Sequence, residues 1–174
     1  MLIRRILNGD KDAFETLVKK HYGNIHAYCY RRTGDEQVAA DLTQEVFLKL
    51  VASIYNYRFS GKFSNYLFTI AVNVVTDYFK KRKPAAEFPE EDIPSSADTP
   101  EQTAVKNERD RVLYDRLRGL PDFQREAIIL HYFHGLKARD IAKITGVPLA
   151  TVKSRLKQGL DKLRKIYERS EPDE

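Results

Sequence analysis

Cysteine is almost missing from this chain: Cys29, inside HAYCYRR, is the one thiol in 174 residues. A lone thiol cannot close an internal disulfide, so a disulfide-stapled secreted scaffold is excluded and a reducing, cytoplasmic setting is expected. Cys29 reads as a small apolar filler on a helix rather than as a nucleophile. No uninterrupted apolar run approaches the roughly 18 residues of a membrane span. The opening MLIRRILNGDKDAF carries a basic pair with no apolar stretch behind it, so no signal peptide is expected. Strand-type alternation of Val, Ile and Thr is missing, and no segment recurs at a fixed period. The expected fold class is therefore all-α.

Lys and Arg are absent from residues 84–100, which hold five acids and a local charge of −5. On either side the sign reverses. Residues 1–83 hold 14 Lys+Arg against 8 Asp+Glu, and residues 101–174 hold 16 against 12. Two basic blocks tied by an acidic string suit a polyanion, since each neutralised phosphate releases counterions. Basic residues that merely solvate helix faces would give the same totals. The string KPAAEFPEEDIPSSADTP also holds four of the seven prolines, Pro84, Pro89, Pro94 and Pro100. Proline fixes φ and removes a donor, so neither helix nor strand runs through it. The expected organisation is a helical domain over 1–83, a linker over 84–103 and a second helical domain over 104–174.

In the first domain Asp10 caps a helix that Gly34 ends, with Phe14, Leu17, Val18, Ile25 and Tyr28 apolar. A second helix runs from about Asp35 to Ile54, with Val38, Leu42, Val46 and Leu50 at a four-residue spacing. YNYRFSGKFS breaks the pattern before a third helix over 65–83 that is basic at its end. In the second domain, 104–118 and 122–133 are expected to be helices, followed by a short helix over 138–145. After Gly146, Val152, Leu156, Leu160, Leu163 and Tyr167 form one stripe of a last helix, within roughly 80° of one another.

ARDIAKITGVPLATVKSRL carries Ala142 where two helices must cross closely, Gly146 for the tight turn and Val152 pointing back into the first helix. That spacing between two short amphipathic helices is the helix-turn-helix signature, over 138–157. An ordinary helical hairpin would need no exposed row of Thr151, Ser154, Arg155, Lys157 and Gln158. Arg pairs with guanine, Gln with adenine, and Lys or Ser with phosphate, so the row suits duplex DNA. In the first domain, YNYRFSGKFSNYLF interleaves Tyr55, Tyr57, Phe59, Phe63, Tyr66 and Phe68 with Arg58 and Lys62. Rings beside cations suit unstacked bases and their backbone. Phe68 and Tyr66 are expected instead to fill the core. A duplex reader at one end and a single-strand reader at the other suggest a protein that opens DNA.

Two blocks resemble bacterial RNA polymerase sigma factors of the extracytoplasmic-function (ECF) group. ADLTQEVFLKL looks like conserved region 2.2, and FSNYLFTIAVNVVTDYFKKRK looks like regions 2.3 to 2.4, with Asn73 and Asp77 at the usual spacing. LPDFQREAIILHYFHGLKARDIAKITGVPLATVKSRLKQGLDKLR looks like region 4. Tyr66 stands where the family usually has Trp, Ala150 where it has Gly, and Lys80 where Arg is common. The resemblance implies a polymerase subunit that confers promoter specificity, supports DNA melting and has no catalysis of its own. Asp41, Gln44, Glu45 and Leu48 would dock on the core enzyme formed with the beta and beta-prime subunits. Tyr57, Arg58, Lys62, Asn73, Lys80, Lys81 and Arg82 would serve the −10 element, with a flipped base held by the loop 56–62. Thr151, Ser154, Arg155, Lys157 and Gln158 would serve the −35 element. The acidic linker would mimic nucleic acid inside a basic channel. An anti-sigma factor, a common partner in this group, and a role in stress response are further implications.

Two other readings compete. Asp41 with Glu45, and His131 with His134, stand one helical turn apart, as metal ligands can. No third and fourth ligand is recognisable, so no metal and no cofactor is expected, and HYFH reads as a helix end with one packed and one exposed histidine. A stand-alone helix-turn-helix regulator explains residues 120–165 but not the docking-type second helix or the aromatic–basic loop.

Overall fold

The computed structural model describes residues 2–58, 61–82 and 108–170, and the proposed linker lies outside the described residues. Among the described residues the chain is helical without strands. The first half comprises α1 (Leu2–Leu7), α2 (Lys11–Thr33), α3 (Glu36–Ser53) and α4 (Phe63–Arg82), with a 3₁₀ turn at Ile54–Asn56. The second comprises α5 (Glu108–Arg118), α6 (Asp122–Ile128), a π turn at Ile129–Phe133, α7 (Ala138–Thr145) and α8 (Leu149–Ser170).

Local chemistry sets the helix ends. The Asp10 carboxylate accepts from the Ala13 N–H at 3.0 Å, and Asp35 accepts from Val38 N–H at 2.9 Å. Each cap satisfies a donor that a helix start leaves orphaned, a contribution of about 1 kcal/mol. Gly34 closes α2 at φ 71, donating to Tyr30 O at 2.7 Å. Without a Cβ it takes that left-handed conformation at little cost, and a Cβ there would strike the Tyr114 ring. α1 has no counterpart among the expected helices. Six residues are too few for periodicity to declare them, and Ile6 packed into the core is what holds them.

α2, α3 and α4 bury Leu17, Ile25, Leu42, Val46, Leu50, Leu67, Phe68 and Val75 against one another. Each such side chain contributes about 1.5–3 kcal/mol. Cys29 is fully buried among them, and burial pushes its thiol up to about 11, so it is a core filler with no thiolate at neutral pH. In the second half Leu117, Ile128, Ile129, Ile141, Ile144 and Val152 form the corresponding core. Gly146, at φ 72, makes the turn between α7 and α8 and donates to Ala142 O at 2.9 Å. Val152 points back into this core, 1 % exposed.

The helix expected over 122–133 is not continuous. α6 stops at Ile128 and a π turn follows, which inserts one extra residue and re-aims the side chains beyond it. Leu136 N–H then reaches Leu130 O at 3.1 Å, and His131 Nδ1 lies 2.7 Å from Leu136 O. Neither histidine of HYFH is exposed: both are half-buried, contrary to expectation. His134 is turned onto α2, where Nδ1 meets Asn24 Oδ1 at 2.8 Å and Nε2 lies 3.4 Å from Arg31 Nη1.

That contact belongs to a buried seam between the two halves. The Arg32 guanidinium, 1 % exposed, donates to both Asp122 carboxylate oxygens at 2.9 and 3.3 Å and lies 3.9 Å from Glu126. Tyr28 Oη donates to Glu126 Oε1 at 3.4 Å, and Tyr114 Oη donates to Thr33 O at 3.0 Å. α4 packs against α7 beside them. Burial alone would depress the Arg32 charge, but Tyr28, Glu126 and Asp122 outweigh it and the guanidinium is held more firmly protonated. Burial raises the Glu126 carboxyl despite Arg32, whereas Asp122 is lowered, because Arg32 and Arg125 together overcome its desolvation. Asp122 is therefore the carboxylate held more firmly ionised beside Arg32.

Candidate nucleic-acid and partner surfaces

The first surface lies on α3. Asp41, Gln44, Glu45 and Leu48 fall within about 100° around the helix, so one face carries all four. Asp41, Gln44 and Leu48 are exposed, and Glu45 is half-buried. Leu48 is 64 % exposed and Val51 46 %, which is unusual for large apolar side chains on one helix. With Phe14, Val18 and Tyr22 of α2 and Phe47 of α3 they line a shallow cleft of about 430 Å³. Gln37 Nε2 donates to Asp41 Oδ1 at 3.2 Å, and Lys49 pairs with Glu45 at 3.5 Å. An apolar floor with carboxylates on its rim fits a helical partner with basic flanks.

The second surface begins where α3 gives way to α4. Tyr57 packs its ring 4.8 Å from Tyr66 and 5.5 Å from Phe63, and His21 of α2 adds a fourth ring 5.5 Å from Phe63. Phe68 is core, as expected, and Tyr66 is half-buried, its hydroxyl donating to Ser53 Oγ at 2.6 Å. Arg58 and Lys62 are exposed at the edge of this cluster, and Tyr55 is 65 % exposed. Phe59 lies outside the described residues. Asn73, Asp77, Lys80 and Lys81 share one face of α4 within about 100°. Arg82 falls on the opposite side, stacked over Tyr78 with its guanidinium bonded to the tyrosine hydroxyl. The structure thus joins Asn73 with Lys80 and Lys81 but separates Arg82 from them.

The third surface is the helix-turn-helix. Thr151, Ser154, Arg155 and Gln158 fall within about 100° on α8, with Lys157 at the flank. Ser154, Lys157 and Gln158 are exposed, whereas Thr151 and Arg155 are half-buried. The Arg155 guanidinium lies over the Phe123 ring of α6, 4.5 Å from its centroid. Gln124 Nε2, also on α6, donates to Gln158 Oε1 at 3.1 Å, and Gln158 Nε2 donates to Ser154 Oγ at 3.3 Å.

Residues that sequence reasoning missed are those of the seam, Tyr28, Arg32, Asp122, Glu126 and His134, and the α6 side chains beneath the α8 row. One signal was available: at helical spacing Glu126 falls in the stripe of Phe123, Ala127 and Leu130, and a carboxylate on an apolar stripe needs a buried partner. Among the described residues no group of three or more His, Cys, Asp or Glu could hold a metal ion. Among them, too, no helix is long and apolar enough to cross a membrane.

Fold and surfaces together define an all-α helix-turn-helix protein with an additional helical half. Residues 17–84 match the Sigma-70 region 2 family, and residues 110–163 match the Sigma-70, region 4 family. The chain is 31 % identical over 174 residues to the ECF RNA polymerase sigma factor SigW of Bacillus subtilis, covering 94 % of this chain and 93 % of that protein. It is 31 % identical over 166 residues to the ECF RNA polymerase sigma-E factor of Haemophilus influenzae, covering 89 % and 87 %. Among solved structures, the sigma factor RpoE in complex with the anti-sigma factor NepR from Bartonella quintana superposes with a TM-score of 0.71 at 25 % identity, covering 91 % of this chain and 98 % of that one. CnrH in complex with the cytosolic domain of CnrY shares the fold, with a TM-score of 0.75 at 21 % identity over 98 % and 97 % of the two chains. The chain belongs to the ECF RNA polymerase sigma factors of the sigma-70 family, which is not an enzyme class.

Proposed function

We propose that this chain, in the bacterial cytoplasm, binds core RNA polymerase through α3, reads the −10 element with the Tyr57–Lys62 corner and α4, and reads the −35 element with α8. The observation that carries the reading is the strip of exposed Asp41, Gln44 and Leu48 with half-buried Glu45 beside an apolar cleft. A stand-alone regulator has no use for a second partner surface beside its helix-turn-helix. The ring cluster supplies π faces for unstacked bases, and Lys80 and Lys81 supply charge along the strand. The linker keeps both halves on one promoter. An anti-sigma factor is a fitting antagonist, because RpoE, at 25 % identity, was solved with one. It would cover the same α3 cleft that core requires.

Glu45→Lys tests the docking assignment. It sets a cation against the basic flanks that the acidic rim of the cleft fits, and such like-charge juxtaposition across an interface costs several kcal/mol. Co-purification with core should fall sharply while the circular-dichroism melt stays unchanged. Undiminished co-purification would remove α3 from the docking surface.

A further inference from the structure

α6 lies outside the helix-turn-helix, yet it touches the α8 row at two points. Phe123 is 60 % exposed, too open to be a core residue, and it carries the Arg155 guanidinium at 4.5 Å from its centroid. Gln124, the next residue, donates to Gln158, which donates to Ser154. These contacts have a chemical consequence. A long arginine on a solvated helix samples many rotamers, and each must be given up when it binds. A guanidinium held over a ring has given up some of them beforehand, and a ring contact does not consume its N–H donors. Gln158 spends one lone pair of Oε1 on Gln124 and one hydrogen of Nε2 on Ser154. One acceptor and one donor remain, the pair that adenine takes through N6 and N7.

We propose that Phe123 and Gln124 are positioning residues for −35 recognition, holding Arg155 and Gln158 in the orientation in which they meet base edges. This rests on the −35 reading given above. Lys157, exposed at the flank, plays a different part, since a flexible ammonium finds a phosphate without being aimed. Base preference at two positions of the element is thus set partly by a helix that never enters the groove.

The test uses holoenzyme assembled from the full chain and the organism's own core polymerase. It transcribes a promoter pool randomised across the −35 element, and the transcribed templates are sequenced. Arg155→Ala and Gln158→Ala identify the positions each side chain reads. Phe123→Leu should flatten the Arg155 position by about two- to fivefold, the effect of an exposed cation–π contact, and leave the other positions alone. Phe123→Tyr should restore it. Gln124→Leu should flatten the Gln158 position alone. If Phe123→Leu and Gln124→Leu lower output on all templates alike with the preference profile unchanged, α6 merely packs and the proposal is overturned. If Arg155→Ala and Gln158→Ala leave the profile unchanged, the −35 reading itself fails and the proposal falls with it.

Discussion

Asp122→Ala should open the molecule rather than unfold it. Arg32 is sealed in the seam between the halves, and its bidentate partner is Asp122. Removing one member of a buried pair costs about 3–5 kcal/mol, because a charge is left without compensation. Two features pull this toward the lower end. The Asp122 side chain is 52 % exposed, and Glu126 stays within 3.9 Å of the guanidinium. The cost falls on the closed form alone, since parting the halves returns Arg32 to water. At about 3 kcal/mol the ratio of open to closed molecules rises by roughly 10². Small-angle X-ray scattering reads the result. A compact chain of this length has a radius of gyration near 16 Å, and two tethered halves held about 40 Å apart exceed 20 Å. Asp122→Ala should move toward the larger value, and Asp122→Ala with Glu126→Gln should move further. An unchanged radius in both variants, with a lowered melting temperature instead, would show that the seam is part of one cooperative core. Opening matters because −10 and −35 elements a turn and a half of duplex apart are separated by about 50–60 Å at 3.4 Å per step. In the closed form α4 lies against α7.

Two further outcomes are expected. Acidification should loosen the same seam: burial, and then Arg31, push His134 down to about 4 from 6.5 in the closed form, where Asn24 and the Tyr28 and Phe68 rings also face it. Its contribution is therefore fully present above pH 6.5 and lost as pH falls toward 4, up to about 3 kcal/mol. His134→Gln should remove that part of the dependence of the scattering radius and leave the opposite one of Glu126, whose raised carboxyl favours the closed form at low pH. Deleting Glu87 to Pro94 shortens the reach of the linker by roughly 26–29 Å and should abolish run-off transcription from two-element promoters, whereas a Gly/Ser replacement of equal length should be much milder. Full transcription by the deletion would sink simultaneous docking of the two halves.

Features that depend on near neighbours in the chain were legible from the residues alone. Asp10 and Asp35 read as helix starts because a short carboxylate three residues before an N–H can satisfy it. Gly34 and Gly146 read as stops because the left-handed turn favours a residue without Cβ. The helix-turn-helix was legible as Ala142, Gly146 and Val152 for the same reason, and the rows on the second, third and last helices followed from the 3.6-residue period. Packing between distant residues settled the rest. Arg32 meets Asp122 across 90 positions, and its RRT context marks it as a solvated helix end until α6 covers it. Periodicity continued α6 through residue 133, but a π turn intervenes and delivers His134 to α2. Arg82 is a local exception: its angle on α4, opposite Asn73, Lys80 and Lys81, follows from the helical period, and the structure adds that its guanidinium is bonded to Tyr78 four residues back. Arg155 was legible as a cation on a reading face. Only the packing of α6 against α8 placed an aromatic ring beneath it.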